Sequence, residues 1–141
     1  MPQNNDLDYL LDTDTVRHLL RGDGIGIQLR RKMALVPTSH VAISVITEVE
    51  LLYGLAKKPG ATHLQAMIHK FLAYCDALPW DSAAARSYAD LRVQSEAQGI
   101  SITALDMLIA AHAHSAKRVL ITQDSTLLRL KPWVSVEKWT G

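Results

Sequence analysis

The chain is poor in the residues that staple or punctuate small proteins. It has one cysteine, Cys75, in 141 residues. No internal disulfide can form, and a reducing, cytoplasmic setting is expected. The apolar surroundings of Cys75 assign it to packing. Seven glycines and five prolines sit in short pieces such as "GDGIG" and "KKPG". They leave no linker, repeat or low-complexity segment. Neither sign of charge dominates, since 15 Lys and Arg against 14 Asp and Glu give a net charge of +1. Bulk charge therefore names no partner, and any nucleic acid must be held by local clusters. No apolar run approaches the roughly 20 residues of a membrane span. The opening "MPQNNDLDYL" has neither the basic start nor the apolar core of a secretory signal. No membrane association is expected.

What is present is a globular composition, 48% hydrophobic and 21% charged. That is enough for a single domain over residues 1–141 with one proper core. Apolar runs and helical stripes alternate along the chain. "LDYLL", "HVAISV", "ALPW", "RVLIT" and "VSVEKW" read as strands. "TVRHLLR", ended by Gly22, and "GIQLRRKMALV", stopped at Pro37, read as helices. So do "ITEVELLYGLAKK", "ATHLQAMIHKFLAYCDA", the stretch from Asp81 or Ser82 to Gly99, and "TALDMLIAAHAHSA". "DSTLLRL" suits one helical turn. Strands separated by helices predict an α/β fold with a mostly parallel sheet covered on both faces. In such sheets, sites lie beyond the carboxyl ends of the strands.

Four acids fall at those junctions. Asp12 ends the first strand of "YLLDTDTV", and Glu50 follows "AISV" by about a helical turn. Asp106 opens the helix "LDMLIAAHA", and Asp124 follows "RVLIT". Each has a bland reading beside the functional one. Thr47-Glu-Val-Glu50 and Thr103-Ala-Leu-Asp106 match the capping-box spacing. Asp14 and Asp124 suit N-caps. Together, however, four carboxylates at equivalent topological positions would converge on one volume. Like charges held close need protonation or a cation. Hard oxygen ligands with no His or Cys cluster favour Mg²⁺ or Mn²⁺ over zinc. Such a site suits phosphodiester hydrolysis by an ion-activated water.

The segments "LLDTDTV", "ISVITEVELLYG", "ITALDMLIAAHA" and "LITQD", in this order, resemble the four acidic motifs of PIN-domain nucleases, and most of all the VapC-type toxins of bacterial toxin–antitoxin pairs. The resemblance spans nearly the whole chain. It places the family's metal-binding acids at Asp12, Glu50, Asp106 and Asp124, with Thr13, Ser44 and Thr122 as hydroxyls around them. Gln123 stands where the family usually has Asn, and Leu128 where it often has Phe. The resemblance implies a three-layer α/β/α fold and Mg²⁺- or Mn²⁺-dependent cleavage of RNA, often transfer RNA. It also implies a homodimer and a small inhibitory antitoxin as partners.

Two alternatives belong beside this reading. "LLDTDTV" also fits the D-x-D-x-[TV] motif of haloacid-dehalogenase-like phosphotransferases, with Asp12 as nucleophile and Asp14 as acid/base. A non-catalytic RNA- or protein-binding module is the other. Cationic candidates for RNA are "LRRK" (Arg30, Arg31, Lys32), Arg86, Arg92, Lys117 and Arg118. Trp80, Trp133 and Trp139 read as packing residues. His112 and His114 sit two apart and face different ways on a helix, so a shared ligand role is not expected.

Overall fold

Five short strands make one parallel sheet, and the apolar runs of β1, β2 and β4 fill its buried centre. A computed structural model describes residues 7–141. Residues 1–6, which carry part of the stretch read as lacking a secretory signal, lie outside them. The strands are β1 (Tyr9–Leu11), β2 (Val41–Ser44), β3 (Asp76–Leu78), β4 (Val119–Ile121) and β5 (Val136–Glu137). Their spatial order is β3-β2-β1-β4-β5, all parallel. The helices are α1 (Thr13–Arg21), α2 (Gly24–Met33), α3 (Val45–Ala56), α4 (Thr62–Tyr74), α5 (Ser82–Ala97), α6 (Ala104–Ser115) and α7 (Ser125–Leu128). They cover both faces of the sheet and make the three-layer α/β/α arrangement.

Strand β1 explains why "YLL" shows no polar alternation. It is flanked by β2 and β4, and all three of its residues are buried. Successive side chains point to opposite faces. Leu10 joins a core with Ile109, Ala110, Leu120 and Leu130. Tyr9 and Leu11 join the other core, with Val16, Leu29, Leu51 and Ile68. Trp139 packs edge-on against Tyr9, with ring centroids 5.1 Å apart, and Trp80 donates from Nε1 to the Leu108 carbonyl at 3.0 Å. Both do the packing work expected of them. Cys75 is half-buried, and its thiol is pushed up to about 11 by burial first and the Asp76 charge second, which keeps it unreactive.

The chain leaves β1 toward β2 and β3 on one side, then returns to place β4 on the other. The order of strands thus reverses around β1, and its carboxyl end faces a natural crevice. Helix α1 starts directly after β1, and α3 starts directly after β2. A tight α1–α2 corner fixes α1. Gly22 takes a left-handed conformation at φ 65°. At Gly26, a Cβ would lie 2.1 Å from the His18 carbonyl oxygen, so α2 crosses α1 at backbone contact. The Arg30 guanidinium also reaches the Leu19 carbonyl at 2.6 Å.

The structure corrects three element boundaries. Helix α2 ends at Met33, before Pro37, with a turn between them. Helix α4 ends at Tyr74, and the third strand is Asp76–Leu78 rather than "ALPW". This is an edge strand with an exposed Asp at its start, so it carries no apolar run to betray it. Finally, α3 begins at Val45 with Ser44 as its N-cap, so Thr47 lies inside the helix and no capping box forms there. Among the described residues no helix is long and apolar enough to cross a membrane.

Candidate active site

Asp12, Glu50, Asp106 and Asp124 all line one open cavity of about 490 Å³, together with Asp14, Thr13, Thr103 and Arg17. Five carboxylates therefore meet one guanidinium. Local rules bring each acid there. Asp12 and Asp124 are the N-caps of α1 and α7, the helices that leave β1 and follow β4. Asp106 stands in the first turn of α6 behind the N-cap Thr103. Glu50 is presented by α3, which springs from β2. Asp12 and Asp124 are thus caps and cavity lining at once, since a cap at a strand's carboxyl end is also a wall of the crevice.

Hydrogen bonds from threonine hydroxyls and helix-start N–H groups hold three of these acids in place. Asp12 is 2% exposed. Its Oδ1 accepts from the Thr15 N–H at 2.8 Å, and its Oδ2 accepts from the Thr122 hydroxyl at 2.5 Å. The same Thr122 oxygen accepts from the Asp124 N–H at 3.0 Å, which ties the first acid to the fourth. Asp124 Oδ1 in turn accepts from the Thr126 N–H at 2.8 Å. On the other side, the Thr13 hydroxyl donates to Glu50 Oε1 at 2.7 Å. Thr13 has then used its proton, so the Thr47 hydroxyl, 2.9 Å away, is the donor to it. A buried chain of Thr47, Thr13 and Glu50 results. Asp14 is more exposed and pairs with His18 at 3.4 Å.

Two carboxyl groups of this cavity are held above their ordinary range. Burial raises Asp12; the bonds from Thr122 and Thr15 oppose it, and the Asp14 charge adds to it. Burial also raises Asp106. The Thr103 hydroxyl opposes that, and Glu50, Asp124 and Asp14 push it further. Asp106 thus feels three like charges at once, which either a proton or a cation would relieve. The donor set is hard oxygen throughout, which fits Mg²⁺ or Mn²⁺. Among the described residues, no group of three or more His, Cys, Asp or Glu side chains is gathered closely enough to hold a metal ion by itself. An ion that keeps part of its water shell fits such an open mouth, and Mg²⁺ is that kind of ion.

Other candidate residues fall elsewhere. Ser44 does not line the cavity. Its Oγ accepts from the Ile46 N–H at 3.1 Å and meets His112 Nδ1 at 2.8 Å. His112 is a buried packing residue, its basicity lowered mainly by burial. Of the cations proposed for RNA, Arg118 reaches the Tyr9 carbonyl at 3.2 Å and Arg92 the Tyr88 hydroxyl at 2.6 Å. None lines the acidic cavity, whereas Arg17 does. Its signal in the sequence was available: Arg17 lies four residues after Thr13, on the same helical face. Gln123, the departure from the family pattern, accepts from the Thr140 hydroxyl through Oε1 and stands apart from the bonds that the acids share.

Comparison with known proteins places the fold and the chain in a family. The family model described as "PIN domain" matches residues 9–131. The chain is 28% identical over 133 residues to the tRNA(fMet)-specific endonuclease VapC of Salmonella typhimurium, covering 94% of this chain and 98% of that protein. The crystal structure of DNA-bound VapBC from the same organism superimposes with a TM-score of 0.84 at 28% identity, covering 95% of this chain and 99% of that one. VapBC-5 of Mycobacterium tuberculosis, a member of the VapBC family of toxin–antitoxin systems, gives 0.69 at 30% identity, covering 93% and 96%. The match to a PIN domain displaces the phosphotransferase alternative for Asp12. By fold, ordered acids and these relatives, the chain belongs to the PIN-domain family and, within it, to the VapC-type ribonuclease toxins.

Proposed function

We propose that this protein is a Mg²⁺- or Mn²⁺-dependent endoribonuclease, the toxin of a type II toxin–antitoxin pair, which hydrolyses phosphodiester bonds of RNA, with transfer RNA as the substrate class. The observation that carries the reading is the convergence of Asp12, Glu50, Asp106 and Asp124 from four separate junctions on one cavity. Asp12 and Asp106 would hold the ion, with Glu50 assisting and Asp124 adjusting the site or helping a second ion. When bound, the ion supplies charge stabilisation at the scissile phosphate and a water that is nucleophilic at neutral pH.

The chain's own residues do the positioning. Thr13 fixes the Glu50 carboxylate, with Thr47 behind it. Thr122 sets the distance between Asp12 and the backbone of Asp124. Raised Asp12 and Asp106 carboxyls keep protons to higher pH than ordinary aspartates, so acidification should silence the site before it unfolds the chain. The tRNA-specific endonuclease name of the Salmonella relative supports the substrate class. The VapBC complexes support a cognate antitoxin, which could block the mouth by offering an arginine to its carboxylates. Exposed Val49, Leu52 and Tyr53 on α3 offer an apolar face for a homodimer. A cytoplasmic location accords with an RNA target.

Incubating the purified protein with total transfer RNA and sequencing the new ends tests this. Cleavage with Mg²⁺, its loss in EDTA and its loss in Asp106→Asn are expected. Undiminished cutting in EDTA would sink the metal-dependent reading, and a folded protein that cuts no RNA would leave a binding module.

A further inference from the structure

A second cavity, about 630 Å³, adjoins the acidic mouth and shares Arg17 and Glu50 with it. It runs between α1, α3 and α4. Helices α1 and α3 both start at the carboxyl edge of the sheet, so their acids lie at the mouth and their basic ends lead away from it. Glu50 is the single acid on this lining, at the shared end, and the cations increase beyond it. Lys57 lies seven residues past Glu50, about 10 Å along the helix axis.

Three of these cations are available to an outside anion. Arg17 and Lys58 make no ion pair among the described residues, although five carboxylates stand nearby in the mouth. The Lys57 ammonium sits 4.6 Å above the exposed ring of Tyr53 and pairs with no acid among the described residues. Arg21 differs: its Nε is held by Asp23 at 3.3 Å. A row of unneutralised cations beginning at a carboxylate cluster suits a polyanion. One phosphate would lie with the ion at the mouth, and its neighbours would follow the cations. The floor between them, with Leu51, Leu64 and Met67, is apolar and offers contact to unstacked bases.

We infer that this groove is the track of the RNA strand, with Arg17, Lys57 and Lys58 binding the phosphates that flank the scissile one. The inference rests on the nuclease reading and extends it to substrate positioning.

The test uses the full chain carrying Asp106→Asn, so that RNA binds without being cut. A short fluorescent oligouridylate is titrated at several KCl concentrations. Adding Arg17→Gln, Lys57→Gln and Lys58→Gln together should weaken binding at least tenfold at low salt. It should also flatten the slope of log affinity on log salt by about 2, since each lost contact to a single strand accounts for about 0.7. Arg17→Lys with Lys57→Arg and Lys58→Arg should restore the slope, which a merely structural defect would not allow. All three side chains are exposed, and Lys58→Glu alone, expected to weaken binding severalfold, guards against a misfolded triple variant. In the otherwise wild-type chain, the three Gln substitutions should raise KM far more than they lower kcat. An unchanged salt slope and KM, while the wild type still cuts transfer RNA, overturns the track and leaves the nuclease reading standing. The track falls equally if the substitutions abolish antitoxin binding and leave RNA binding intact, because the groove would then be a protein site. A wild type that neither binds nor cuts RNA with Mg²⁺ defeats the nuclease reading, and this inference with it.

Discussion

Asp12 and Asp23 are eleven positions apart and do the same local job. Each is an N-cap whose carboxylate accepts, at 2.8 Å, from the N–H three residues on. Yet the first is raised above the ordinary aspartate value of 3.8, and the second is lowered to about 2. At Asp23 the bond from Gly26 comes first, then His18, and Arg21 adds to it. At Asp12 burial outweighs the same kind of bond, and the nearest named charge, Asp14, is of the wrong sign. A cap is therefore common to both, and what separates a corner from a site is whether the charge has been neutralised. Asp23 is satisfied by its own chain. Asp12 has no cation of its own chain named beside it.

The sharpest way to break this contrast is to remove each charge in turn. Asp12→Asn should lower RNA cleavage by a hundredfold or more, the order found when a group that stabilises developing charge is lost. Asp23→Asn should leave the rate alone. Equal losses, measured as initial rates on transfer RNA, would mean that both acids matter only through folding. Next in size is Gly26→Ala, which strikes the donor of the Asp23 bond. Its methyl would meet a backbone oxygen that cannot swing away, so α2 must shift, at about 3 kcal/mol. Urea unfolding reads this directly; a cost below about 1 kcal/mol would show that the α1–α2 corner relaxes.

Slightly smaller is the response to Mg²⁺. At a hundred times its Kd the ion should stabilise the wild type by about 2.7 kcal/mol, visible as a rise in Tm. Asp12→Asn with Asp106→Asn should show no rise, and without Mg²⁺ at neutral pH it should melt no lower than the wild type. A rise of equal size in the variant would place the ion elsewhere. Smallest is the opposite pH dependence of the two caps. Because the folded Asp23 value is depressed, its stabilisation is present above about 3.8 and disappears as pH falls toward about 2. For Asp12, raised in the fold, the sign reverses: stability falls as pH climbs from 3.8 through its elevated value. Differences in melting temperature between wild type and Asp23→Ala should therefore be larger at pH 7 than near pH 2. A constant difference would remove Asp23's charge from the account.

The sequence carried most of this arrangement because short runs and caps are local. "YLLD" ends a strand and starts a helix within four letters, and Thr103 with Asp106 marks a helix start. The edge strand Asp76–Leu78 was readable only in part: "ALPW" holds Ala77 and Leu78, while the exposed Asp76 gives no apolar signal and the strand stops before Pro79. The Thr47–Glu50 spacing misled for a related reason. Ser44, the last residue of β2, caps α3 and starts it three residues sooner. What no spacing could reveal was the set of contacts across the fold. The hydroxyl relay from Thr47 through Thr13 to Glu50 joins residues 34 and 37 positions apart. The bridge at Thr122 joins residues 110 apart. Such bonds depend on where helices land on the sheet, and so on the whole chain at once.

That dependence bears on the protein's birth. β4 is the fourth strand to be made, yet it lies against the first, and it delivers Thr122 and Asp124 to Asp12. A nascent chain that has emerged only as far as α5 holds Asp12 and Glu50 but lacks Asp106 and Asp124. Under the proposed function it would be harmless to the translation machinery making it. The acidic cluster is complete only once β4 has been made and has paired with β1.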